Sequence, residues 1–149
     1  INFHPGIPNY RGIGSINYAI YNNSKFFGST AHIINEQIDN GKIIDVKKFR
    51  ISKKSSIREI LDKTYEIMFK QAISIIKNIH MSFNFIDNKI KKNRTIKWSN
   101  KIGTLKDLKK FYIINKNIKK KDLLRKIRAT NTIEFKPYIN LHGKMFILK

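Results

Sequence analysis

The chain opens on Ile1-Asn2-Phe3-His4-Pro5-Gly6-Ile7-Pro8-Asn9-Tyr10-Arg11-Gly12, and the reading of this stretch decides the rest. Ile1–Phe3 reads as the end of a short strand running into a Pro/Gly loop over His4–Gly14. Asn2 and His4 are two residues apart, so at a strand end both side chains can point to the same side. An Asn amide donates to a developing oxyanion, and a His exchanges protons near neutral pH. Pro5, Gly6, Pro8 and Gly12 shape a tight loop whose backbone could approach a ligand closely. A third group is Asp39, in the polar segment Glu36-Gln37-Ile38-Asp39-Asn40-Gly41. Beside His4, its carboxylate would hold the imidazole in one tautomer. A plainer reading stands next to this one. A loop Asp before Asn-Gly is ordinary turn chemistry, and a His before Pro is often only a satisfied polar group.

Working outward, Ser15–Tyr21 has apolar residues at helical spacing, and Asn22–Asn23 can end that helix. Gly28–Ile34 and Lys42–Ile51 read as strands, with the polar loop Asn35–Gly41 between them. The clearest element is a helix over Ser56–Ile79. Ser56 and Glu59 form a capping box. Ile57, Ile60, Leu61, Thr64, Ile67, Met68, Ala72, Ile75, Ile76 and Ile79 then make one stripe, as expected of a helix docked on a sheet. Beyond Met81 the register changes. Phe83–Ile86 and Thr95–Trp98 read as short strands, Leu105–Ile114 and Leu123–Arg128 as helices, and Phe135–Leu148 as a hairpin turning at His142–Gly143. A boundary near residue 80 separates residues 1–80 from a basic subdomain over 81–149.

Taken together, the opening stretch resembles the Asn-x-His-Pro...Pro-x-Tyr-x-Gly signature of the folate-dependent formyltransferases. That family includes methionyl-tRNA formyltransferase, glycinamide ribonucleotide formyltransferase and the sugar-nucleotide N-formyltransferases. Gly28-Ser29-Thr30-Ala31-His32 is similar to the family's Gly-x-Thr-x-His strand. Ile38-Asp39-Asn40-Gly41-Lys42-Ile43-Ile44 is similar to its Asp-x-Gly-x-Ile/Val loop and strand. The resemblance covers about residues 1–50. It implies an α/β fold: the C-terminal part of a Rossmann-like catalytic domain, followed by a small α+β subdomain. It also implies a catalytic triad of Asn2, His4 and Asp39 acting on 10-formyltetrahydrofolate as formyl donor, without a metal. An amine attacks the formyl carbon. Asn2 donates to the oxygen of the tetrahedral intermediate, His4 adds stabilisation and proton transfer, and Asp39 tunes His4 and helps take up the amine's proton. Gly6, Ile7, Pro8 and Ile38 would border the folate, and Tyr10 and Arg11 the acceptor. Where the family often reads Ser-Leu-Leu-Pro, this chain has Gly6-Ile7-Pro8, one residue shorter. His32 falls on the family pattern but reads as structural, on a strand among apolar residues. His80 and His142 fit a helix end and a turn.

Composition narrows the field. With 149 residues and 41% hydrophobic content, the chain can bury a real core, and its charge does not make it disordered. It has no Cys, so thiol catalysis, disulfides and Cys-type zinc sites are excluded. No apolar run approaches a membrane span and no signal segment opens the chain, so a cytoplasmic location is expected. The net charge is +21, and +15 of it lies beyond residue 80. That asymmetry suggests a second reading from another class, a non-catalytic basic RNA-binding module. Against it, 25 of the 31 cationic side chains are Lys, the poorer residue for bidentate phosphate recognition.

The tail Arg125-Lys126-Ile127-Arg128-Ala129, then Lys136-Pro137-Tyr138 and the hairpin, looks more like the sugar-modifying members than the transfer-RNA enzymes. The expected acceptor is therefore a nucleotide-linked amino sugar for surface polysaccharide, in preference to transfer RNA. A homodimer is the expected assembly. The chain starts on Ile1 in mid-pattern, which reads as a C-terminal fragment. Such a segment alone is expected to be inactive and poorly soluble, because the sheet would lack its upstream strands.

Overall fold

In chain order, β1 (Asn2–His4) leads through a tight loop to β2 (Arg11–Gly12) and α1 (Ser15–Tyr21), then to β3 (Phe26–His32) and β4 (Ile43–Arg50). The long α2 (Ile57–Met81) follows, then α3 (Phe85–Lys92), β5 (Ile102–Gly103), α4 (Leu105–Tyr112) and α5 (Lys120–Thr130). A hairpin of β6 (Tyr138–Leu141) and β7 (Lys144–Ile147) comes last. The computed structural model describes residues 1–132 and 135–148.

The main sheet runs β1-β3-β4, with both pairings antiparallel. Asn2 pairs with His32, Phe3 with Ala31, and His4 with Thr30. Side chains alternate across a strand, so Asn2, His4, Thr30 and His32 share one face while Phe3 and Ala31 share the other. α2 covers that second face. Phe27 packs with Ile16, Ile20, Ile57 and Ile60, and Ala31 packs with Ile44 and Ile75. The same face holds a polar link: Ser29 Oγ donates to Gln71 Oε1 at 2.8 Å, and Gln71 Nε2 donates to the Asp45 carboxylate at 3.0 Å.

α2 begins as its sequence dictates. The Glu59 amide donates to Ser56 Oγ at 3.2 Å, and the Ser56 amide donates to the Glu59 carboxylate at 2.7 Å. Its buried row is Ile57, Ile60, Thr64, Gln71 and Ile75, narrower than the expected stripe. Ile76 and Ile79 face outward. The helix has 25 residues, a rod of about 37 Å. The strands beneath it reach about 25 Å, so its last turns overrun the sheet.

α1, α4, α5 and the hairpin lie where their sequence patterns put them. His142 and Gly143 turn the hairpin with φ of 49° and 75°, the left-handed pair that a two-residue loop requires. Three readings need correction. β3 starts and ends two residues earlier than expected, because the ladder shifts at Ala31/His32 and leaves Ile34 exposed. Phe83–Ile86 is not a strand. Phe83 is wholly exposed, while Phe85, Ile86 and Ile90 pack on the Ala31–Ile44–Ile75 cluster from α3. Three apolar residues in four do not separate strand from helix, and the i, i+4 spacing of Ile86 and Ile90 decided it. Thr95–Trp98 has no ladder either; Trp98 is instead tied to Gly41 by its indole N–H. The short parallel pair β2–β5 had no visible sequence signal.

Candidate active site

The side chains of Asn2 and His4 both meet Asp39. This residue sits in the loop between β3 and β4 with a left-handed backbone, φ 42°. Its Oδ2 accepts from His4 Nδ1 at 3.1 Å and from the Gly12 amide at 3.1 Å. Its Oδ1 accepts from Asn2 Nδ2 at 3.3 Å and lies 3.4 Å from His32 Nε2. Burial alone would raise the carboxyl pKa, but hydrogen bonds from His32, His4 and Gly12 and the charge of His4 outweigh it. Asp39 is held well below the usual carboxylate range. Four groups thus converge on one carboxylate.

The two imidazoles have different hydrogen-bond duties. His4 presents Nδ1 to Asp39 and Nε2 to the Tyr10 carbonyl oxygen at 2.8 Å. Both partners only accept, so a ring with N–H at both nitrogens satisfies both contacts. His32 presents Nδ1 to the Ile33 carbonyl oxygen at 2.8 Å and Nε2 to Asn2 Nδ2 at 3.1 Å. Its Nδ1 donates to that carbonyl, and its Nε2 also lies against Asp39 Oδ1. Asn2 Nδ2, His32 Nε2 and Asp39 Oδ1 form a near-equilateral triangle with sides of 3.1, 3.3 and 3.4 Å. Asn2 Nδ2 therefore bridges the imidazole and the carboxylate.

These groups border a shallow cleft of about 330 Å³ lined by Asn2, His32, Ile34, Ile38 and Asp39. Ile34 and Ile38 are exposed there, an apolar rim suited to a flat ring. Gly6, Ile7 and Pro8 lie elsewhere, with Ile7 and Pro8 buried within the loop. Gly6 lies under the imidazole: a Cβ at this position would stand 2.5 Å from His4 Nε2 and 3.1 Å from Ser15 Cβ. Thr30 Oγ1 secures the loop by donating to the Gly6 carbonyl at 2.7 Å. Tyr10 and Arg11 border a small cleft with Tyr18 and Lys101. Arg11 is only 7% exposed, and its Nε donates to the Ile38 carbonyl at 2.6 Å. Its Nη2 is buried without a partner among the described residues. A larger cleft of about 620 Å³ lies at the far end of β3, among Lys25, Arg50, Lys53, Lys54 and Arg128. No residue of the Asp39 cluster borders it.

Asn2, His4 and Asp39 thus come together as the motif suggested. Two members of the cluster were not foreseen. His32 was detectable through strand alternation, since Asn2 faces it across the ladder. Trp98, whose ring edges against both imidazoles, had no local signal.

The sequence profile described as formyl transferase matches residues 1–77. The methionyl-tRNA formyltransferase of Clostridium tetani is 26% identical over 132 residues, covering 88% of this chain and 40% of its own length. Among solved structures, a 4-N formyltransferase from Francisella tularensis aligns with a TM-score of 0.72 at 22% identity, over 99% of this chain and 60% of that one. The N-formyltransferase of Helicobacter canadensis, solved with folinic acid and dTDP-3-aminofucose, aligns with a TM-score of 0.65 at 23% identity, over 95% of this chain and 51% of that one. The fold is the Rossmann-like one of these structures. The chain spans less than two thirds of the length of each of these relatives.

Proposed function

The chain belongs to the formyl transferase family, and we propose that it serves the transfer of a formyl group from 10-formyltetrahydrofolate to the amine of a nucleotide-linked amino sugar. The observation that carries this reading is the convergence of Asn2, His4 and His32 on one ionised Asp39 at the rim of an open cleft. The donor's flat ring would lie along Ile34 and Ile38. Its formyl oxygen would accept from the Asn2 amide as it gains negative charge. His4, with N–H at both nitrogens, adds positive charge behind the reacting centre, and the departing folate nitrogen takes its proton from water in the cleft. The bond from amine nitrogen to formyl carbon forms as the bond from that carbon to the folate nitrogen breaks. The amine's proton leaves to water in the cleft, because a carboxylate held at low pKa by four donors is a weak base. Asp39 instead fixes His4 and balances its charge.

The sugar acceptor is supported by the likeness over nearly the whole chain to sugar N-formyltransferase structures, one of them holding dTDP-3-aminofucose. Transfer RNA is the second reading, favoured by the match to the Clostridium tetani protein over 132 residues. The test is an assay of the full-length protein with 10-formyltetrahydrofolate, a panel of amino sugar nucleotides and initiator methionyl-tRNA. Formylation of at least one sugar nucleotide is expected. Formylation of the tRNA and of no sugar would overturn the acceptor assignment. Salt-dependent RNA binding without formyl transfer, unchanged when Asn2, His4 and Asp39 are replaced, would overturn the enzymatic reading itself.

A further inference from the structure

We infer that Trp98 is a positioning residue of this site: its indole walls in both imidazoles, and its N–H holds the loop that carries Asp39. The inference rests on the enzymatic reading above for its kinetic consequence, but not for its geometry. The indole meets the His32 ring edge-on with centroids 5.0 Å apart and planes at 81°, and meets the His4 ring at 5.8 Å and 68°. Its Nε1 donates to the Gly41 carbonyl at 2.8 Å, two residues beyond Asp39. On the other side, Arg11 Nε holds the Ile38 carbonyl, one residue before it. Asp39 is therefore tied on both flanks while its own backbone sits in a sparsely populated conformation.

The segment bearing Trp98 is anchored in turn. The Ser99 amide donates to the Pro8 carbonyl at 2.9 Å, so this stretch and the Gly6–Pro8 loop hold each other. His4 and His32 are 4% and 3% exposed. Deleting the indole would open that enclosure to the cleft of about 520 Å³ that Trp98 lines together with Lys42, Arg94 and Lys97. The charged groups around the indole are thus Asp39 and the two histidines on one side, and these three cations on the other. Residue 98 lies outside the part of the chain that the family profile matches.

Trp98 is the only tryptophan, so its emission reads the contact directly. An aromatic ring packed edge-on against the indole changes its emission. H32Q, which removes that ring, should change the intensity of Trp98 emission with circular dichroism constant. Identical emission spectra for wild type and H32Q would overturn the contact whether or not the protein transfers formyl groups. In the full-length enzyme, W98L should lower kcat by about tenfold or more with KM changed by less than about twofold. Unchanged kcat, or a rise in KM alone, would overturn the positioning role. Should W98L lose its folded spectrum, W98F decides. It keeps a ring against the imidazoles and loses only the tie to Gly41, so kcat should drop by about threefold to tenfold. A W98F enzyme with wild-type kcat overturns the tie.

Discussion

The central strand β3 is polar on both faces, and its two faces differ in how completely they close. Under α2, Ser29 donates to Gln71, and Gln71 donates to the Asp45 backbone and carboxylate. Lys47 and Lys89 complete the charge from the solvent side. Ser29, Gln71 and Asp45 thus end on one another. On the opposite face, Thr30 and His32 stand across from His4 and Asn2, and Asp39 gathers them. That cluster has two imidazoles, an amide and a cleft beside it. A buried polar residue in a sheet is therefore no sign of function by itself. A polar cluster that borders an opening is the informative feature.

The largest effect that would break this contrast is catalytic. Asp39→Asn keeps a residue that tolerates a left-handed backbone and removes the charge that binds His4. It should lower kcat/KM for formyl transfer by about a thousandfold, measured in the full-length enzyme with folding checked by circular dichroism. Activity within tenfold of wild type would put Asp39 on the same footing as Asp45. The converse variant, Gln71→Leu, leaves Ser29 and Asp45 without their partner under α2. It should cost about 2 kcal/mol of stability in urea denaturation while kcat per folded molecule stays the same. A catalytic loss at Gln71 comparable to that at Asp39 would erase the distinction between the faces.

A smaller difference is expected in acid. The folded state depresses the Asp39 pKa below its ordinary value of 3.8. Below that value the unfolded chain takes up a proton that the folded one refuses, so Asp39's contribution is fully present above about pH 5 and is lost as pH falls. Stability of the wild-type chain should therefore drop more steeply below about pH 4 than that of Asp39→Asn, as followed by urea midpoints. Parallel curves would mean that the cluster does not hold an ionised carboxylate. Smallest is Ser56→Ala, remote from both faces. Loss of the cap should lower stability by about 1 kcal/mol, or about 3 °C in Tm, with formyl transfer untouched.

What could be read in the sequence was whatever local spacing encodes. The capping box placed the start of α2, the alternation of Asn2 and His4 placed two groups on one face, and the loop between two strands returned Asp39 to them. His32 needed the pairing register of β1 and β3, which alternation suggests only once the strands are known to be neighbours. Trp98 lies 94 residues from His4 in sequence, and no periodicity spans such a distance. α3 was misread because Phe83–Ile86 is short and apolar in either geometry, and only packing on Ala31, Ile44 and Ile75 distinguishes them.

Position 6 shows how a shortened loop constrains the chain that carries it. The backbone there runs so close beneath the imidazole that any side chain would collide with His4 Nε2. Any larger residue at position 6 would therefore force either the imidazole or the loop that Thr30 secures to move.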